Sequence, residues 1–164
     1  MLRQTITLKD ILDEVFQDYK LPSMLLAMPA CDFKCFRELK LDIKQCQNFE
    51  LSKRRNIILK IEDVFSRYNS NPITKAIILG GLEPFLSFGE IHSLIDFFRK
   101  NNCFDDIVIY TGYYKNEIEK EIKILKKYEN IIIKFGRFLP DSKSVFDEIL
   151  GINLASENQY AEKI

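Results

Sequence analysis

Three of the four cysteines fall in one short stretch: Cys31, Cys35 and Cys46, with three residues between the first two and ten before the third. They follow the apolar run Met24-Leu25-Leu26-Ala27-Met28, closed by Pro29, which predicts a buried strand. Disulfides are disfavoured in a reducing compartment, so thiols grouped on a loop at a strand end are metal ligands or reactive groups. A triad is one thiolate short of the usual four-sulfur shell for zinc or iron–sulfur. It suits a cluster with one iron left open to an exogenous group. Two residues compete for the fourth place. Cys103 precedes the third strand and is expected at the opposite, amino-terminal rim as a bystander thiol. His92 is expected on the outward or flanking side of its helix, an ordinary surface histidine.

The elements that must position these thiols alternate along the chain. Leu8, Ile11, Leu12, Val15, Phe16 and Tyr19 make one helical face after a capping-box-like Thr7 and Asp10, so residues 1–20 predict an N-terminal helix packed on the domain. Ser52 caps an expected helix striped by Ile57, Ile61, Val64, Phe65 and Tyr68, ended by Asn69-Ser70-Asn71-Pro72. Further buried strands are expected at Ala76–Leu79, Ile107–Tyr110 and Ile131–Phe135. A helix opening at Ser87 and a charged one over 115–128 separate them. A short strand near Ile152–Leu154 and a polar tail close the chain. Strands apolar throughout, rather than alternating, are covered on both faces, which means a parallel sheet with helices packed over it. The fold class is α/β, with about five mostly parallel strands, in one domain spanning 1–164.

Composition limits the partners. Lysine plus arginine and aspartate plus glutamate both number 24, so no net charge favours nucleic acid or an anionic membrane. The N-terminus is too interrupted by charge to be a signal peptide, and no apolar run approaches the ~20 residues of a spanning helix. A cytoplasmic protein is expected. The 13 phenylalanines with no tryptophan read as core.

In parallel sheets the chemistry gathers beyond the carboxyl ends of the strands. Here those ends are Cys31 onward, Gly80-Gly81-Leu82-Glu83-Pro84, Tyr110-Thr111-Gly112 and Gly136-Arg137, so all the unusual residues land on one rim. Each has a plainer reading: a glycine pair is usually a tight turn, Arg137 a surface charge, and Asn158 and Gln159 a solvated tail. The three-cysteine loop is where the plain reading is weakest.

The cysteine loop, the Gly-Gly-Leu-Glu-Pro and the Tyr-Thr-Gly-Tyr together resemble a radical S-adenosylmethionine enzyme. Phe135-Gly136-Arg137-Phe138 and Ala155-Ser156-Glu157-Asn158-Gln159 are similar to closing segments of the small activating enzymes of anaerobic ribonucleotide reductases. The resemblance runs from about residue 23 to the end. One departure is large: the common C-x3-C-x2-C pattern puts a cysteine at position 38, where this chain has Glu38, and the third ligand role passes to Cys46.

The resemblance implies an open partial (βα) barrel with helices outside, and a [4Fe–4S] cluster on Cys31, Cys35 and Cys46. The unique iron would chelate the amino and carboxylate groups of S-adenosylmethionine, and a reduced cluster would cleave the sulfonium to methionine and a 5′-deoxyadenosyl radical. Gly80 and Gly81 would let the backbone approach the methionyl moiety, and Glu83 and Thr111 would bind the cofactor. Phe36 would pack near the cluster or the adenine. No side chain is expected to act as general acid or base. About five strands leave one side of the sheet open to a bulky partner, which fits a glycyl radical enzyme (an anaerobic ribonucleotide reductase) as substrate. A flavodoxin or ferredoxin-type reductant is implied. Rival readings are a radical enzyme acting on another protein or a small molecule, a structural zinc module, and an electron-transfer protein with a three-thiolate cluster.

Overall fold

Three runs rich in isoleucine and valine (76–80, 106–110 and 131–135), joined by the Met- and Leu-rich run 23–27, build the centre of the molecule, because such side chains suit a pleated surface buried on both faces. A computed structural model describes residues 2–164. Its strands are β1 (Thr5–Leu8), β2 (Asp10–Val15), β3 (Ser23–Ala27), β4 (Ile57–Lys60), β5 (Ala76–Gly80), β6 (Asp106–Tyr110), β7 (Ile131–Phe135), β8 (Val145–Asp147), β9 (Ile152–Leu154) and β10 (Tyr160–Lys163). Its helices are α1 (Lys34–Arg37), α2 (Phe49–Lys53), α3 (Ile61–Asn69), α4 (Phe88–Lys100) and α5 (Glu119–Leu125). A six-stranded sheet has the order β10-β7-β6-β5-β3-β2. Its four inner strands are parallel, and β2 and β10 add antiparallel edges. The mixed α/β class with a mostly parallel sheet is as expected, and β2 and β10 are not paired with each other among the described residues. Among those residues no helix is long and apolar enough to cross a membrane.

The two faces of the sheet are covered differently. Met24, Leu26, Ile77, Leu79, Ile107, Ile109, Ile131 and Ile133 pack with Val64, Leu94, Phe98 and Ile122 from α3, α4 and α5. On the other face Ile78, Val108 and Ile132 meet Tyr19, Leu150 and Leu154. The expectation of helices over both faces is thus corrected: the second layer is the β8–β9 hairpin and the turn before β3.

The N-terminal helix expected over residues 1–20 is not formed; β1 and β2 occupy that stretch, and Met1 lies outside the described residues. Ile6 and Leu8 are fully buried, whereas Leu12 and Phe16 of the supposed stripe are exposed. Period two wins because both strands find partners, β1 with β4 and β2 with β3. Thr7 does not cap a helix with Asp10. Its amide and hydroxyl donate to the Glu90 carboxylate at 2.9 and 3.1 Å. For the same reason the helix expected from Ser52 breaks: Ile57–Lys60 pairs with β1, and α3 starts only at Ile61. The charged helix over 115–128 shrinks to a 3₁₀ turn and α5, and the polar tail becomes β10.

Candidate metal centre

Parallel pairing in register brings the carboxyl ends of β3, β5, β6 and β7 to one rim, and the loops leaving them enclose a cavity of about 540 Å³. Cys31, Cys35 and Cys46 line it, as do Phe36, Gly80, Gly81, Glu83 and Thr111. The structure therefore brings every residue expected at the site to one chamber. Cys103 is elsewhere, at the amino end of β6, packed against the helical core. His92 lies on α4 with its Nε2 2.9 Å from the Tyr128 hydroxyl, away from the cavity lining.

The cysteine loop is shaped locally. Phe33 adopts a left-handed conformation (φ 55°) that turns the chain into α1, which carries Cys35. The Phe33 amide donates to the Cys31 sulfur at 3.3 Å. Phe36 is buried and packs 6.0 Å from the Phe138 ring. After α1 a second left-handed residue, Lys40 (φ 56°), and a 3₁₀ turn at Ile43–Gln45 bring the chain back to Cys46. All four cysteines are free.

Burial pushes the Cys31 thiol up to about 12, against the pull of the Phe33 amide, and Glu83 and Asp32 add to the rise. Burial also raises Cys35, opposed by the Phe138 amide and by the nearby Lys134 and Arg137 cations. Such thiols stay protonated and inert as nucleophiles at neutral pH, and become thiolates when a metal replaces the proton. The donor set fits an iron–sulfur cluster. Three free thiols face one chamber, and each would take a different iron, so they need not meet at one point. Among the described residues no three His, Cys, Asp or Glu side chains gather as a shell for a metal ion. Gly112 leaves space at the site as well: a Cβ there would stand 3.2 Å from the Cys35 sulfur.

Glu83 ties the rim together. Its carboxylate accepts from the Thr111 hydroxyl at 2.7 Å, the Gly112 amide at 2.9 Å and the Phe85 amide at 3.1 Å. It is 4% exposed, and burial raises its pKa against those three donors. Gly81 also meets a demand of the chain itself. Gly81 has φ +76°, and a Cβ there would meet Leu51 at 3.0 Å and Ala27 at 3.3 Å. The Gly80 carbonyl accepts from the Met28 and Leu82 amides, both at 2.9 Å, so its peptide oxygen is not free for a ligand.

Three residues given plain readings prove otherwise. Arg137 is not a surface charge: its side chain is 5% exposed and pairs with Glu38 and Glu117. Gln159 is buried, and its amide donates to the Gly136 carbonyl. Asn158 donates to the Arg137 carbonyl, and its own Oδ1 is buried without a partner among the described residues. Lys134 was missed altogether. It lines the cavity on the hairpin-covered face, is 8% exposed, donates to the Thr111 and Gly136 carbonyls at 3.5 and 3.4 Å, and lies 5.8 Å from the centre of the Tyr110 ring. Burial lowers its pKa to about 8. Its one sequence signal is a charge at the penultimate position of an otherwise apolar strand.

A comparison with protein families matches residues 24–159 to the 4Fe–4S single cluster domain. Comparison with curated proteins and with solved structures finds no match. The match begins within β3 and ends within the segment that tethers Arg137, so it takes in all three chamber cysteines and every other lining residue except Gln17 and Asp18. The chain belongs to the 4Fe–4S single cluster domain family.

Proposed function

We propose that the chain is a radical S-adenosylmethionine activase that generates a glycyl radical on an anaerobic ribonucleotide reductase. One observation carries the reading: the three thiols open onto a chamber that continues well past them, over Leu25, Ile78 and Tyr110 on the sheet face. About 540 Å³ lies within the range of small-molecule cofactor sites, and a centre that only relays electrons needs no such space. The cluster, when bound, supplies the electron that cleaves the sulfonium. The chain's own residues bind and orient. Cys31, Cys35 and Cys46 hold the cluster. Glu83 and Thr111 fix the rim against which the cofactor lies, and the Lys134 ammonium suits its carboxylate. Phe36 and Phe138 keep water from the cysteine side.

Anaerobic reconstitution followed by reduction tests the reading: 5′-deoxyadenosine must form from S-adenosylmethionine. A cluster-loaded protein that leaves S-adenosylmethionine intact defeats it. Mixing with candidate glycyl-radical proteins should then give a doublet in electron paramagnetic resonance. A second reading has its own observation. The Ile152–Ala155 stretch walls the chamber on the side expected to be open, which favours a small-molecule substrate. Cofactor cleavage without a doublet on any such protein selects it.

A further inference from the structure

The inter-cysteine loop carries Glu38 where the familiar spacing would have a ligand, and the structure shows what that carboxylate does instead. Arg137 Nε donates to Glu38 Oε2 at 3.0 Å, and Nη2 donates to Oε1 at 2.8 Å. The same guanidinium donates to both oxygens of Glu117, at 2.7 and 2.8 Å, and to the Gly112 carbonyl at 2.6 Å. All five of its donating bonds are thus spent on two rim segments, the inter-cysteine loop and the connection from β6 to α5. Both oxygens of Glu38 are engaged by the guanidinium, and Glu38 is not among the residues that line the chamber. The next residue completes the link, since the Phe138 amide donates to the Cys35 sulfur at 3.3 Å. Behind it, Asn158 and Gln159 hold the Arg137 and Gly136 carbonyls. Gly136 (φ +106°) has no room for a side chain, because a Cβ would stand 3.0 Å from the Asn158 carbonyl oxygen.

Burying a guanidinium costs desolvation that its carboxylates rarely more than offset, and a packed apolar residue would often stabilise as much. What the forked arginine contributes is fixed geometry. We infer that Arg137 is a positioning residue for the cluster: clamped by Glu38 and Glu117, it holds the Phe138 amide on Cys35 and fixes the first turn of the long loop that carries Cys46. The inference rests on the cluster alone and not on S-adenosylmethionine cleavage. Hydrogen bonds to ligating sulfurs stabilise the reduced, more negative state, so they raise the reduction potential. Outer-shell partners that orient ligands contribute about 10- to 100-fold to metal retention.

The test compares Arg137→Met and Arg137→Lys with the parent protein after anaerobic reconstitution. Reduction potentials are read by electron paramagnetic resonance, and cluster loss to an iron chelator by absorbance. Arg137→Met removes charge and fork together. Arg137→Lys keeps the charge and loses the fork, so it separates positioning from simple electrostatics. Both variants should shift the potential negative and lose the cluster at least about tenfold faster. An Arg137→Lys protein with the parent's potential and chelation rate overturns the inference. Should neither variant fold, Glu38→Gln decides, because that side chain is half exposed and the change is isosteric. It should release its cluster several-fold faster, and an unchanged rate overturns the inference equally.

Discussion

The Thr111 hydroxyl donates to Glu83 Oε1 at 2.7 Å, linking the exit of β6 to the exit of β5 within the buried rim of the chamber. The same hydroxyl oxygen accepts from the Tyr113 amide at 3.0 Å, so one side chain orders two loops. Thr111→Val keeps the shape and removes both bonds, leaving a buried carboxylate short of a donor. Stability should fall by about 1–3 kcal/mol in urea denaturation, with the cluster's absorbance retained after reconstitution. Loss of the cluster would instead place Thr111 among the groups that hold it.

Two glycines on the same rim should respond in opposite ways. Gly81→Ala forces a side chain into a left-handed conformation against Leu51 and should cost about 1–2 kcal/mol of stability with iron content unchanged. Gly112 shows no such backbone demand, but its new methyl would stand 3.2 Å from the Cys35 sulfur. Gly112→Ala should therefore lower iron content per chain while changing the urea midpoint little. Iron analysis beside denaturation curves separates the two.

Replacing Cys31, Cys35 or Cys46 by alanine should abolish the visible absorbance of the reconstituted protein. Cys103→Ala should retain it, because that thiol sits at the amino end of β6. Complete loss in the Cys103 variant would show that a fourth thiolate completes the cluster.

Acid should weaken the Arg137 clamp over a defined window. The Arg137 hydrogen bond holds the Glu117 carboxyl at about 2, below its ordinary 4.5, helped by the Tyr114 amide and Lys34. The folded value lies below the unfolded one, so this stabilisation is present above pH 4.5 and is lost as the pH falls toward 2. The loss is at most on the order of 3 kcal/mol. Urea denaturation of cluster-free protein at about pH 5 and about pH 3 should show a smaller fall for Glu117→Gln than for the parent. Equal falls would mean that the carboxylate is not stabilised in the folded chain.

What sequence alone determined is the part governed by local pattern. Apolar runs at Ala76–Leu79, Ile107–Tyr110 and Ile131–Phe135, the last interrupted by Lys134 alone, had to be strands of a sheet covered on both faces, and parallel order then sends their exits to one rim with the cysteines. Only tertiary structure decided the rest. Thr5–Val15 carries apolar residues at both helical and strand spacing, and pairing with β3 and β4 settles it. Arg137 and Glu38 are 99 residues apart, and Lys134 owes its environment to the strands and hairpin around it. A contact at that separation leaves no periodic trace in the chain, because loop closure sets no preference for residue type at either end. Burial of a charge becomes visible only when the elements that exclude water from it are in place.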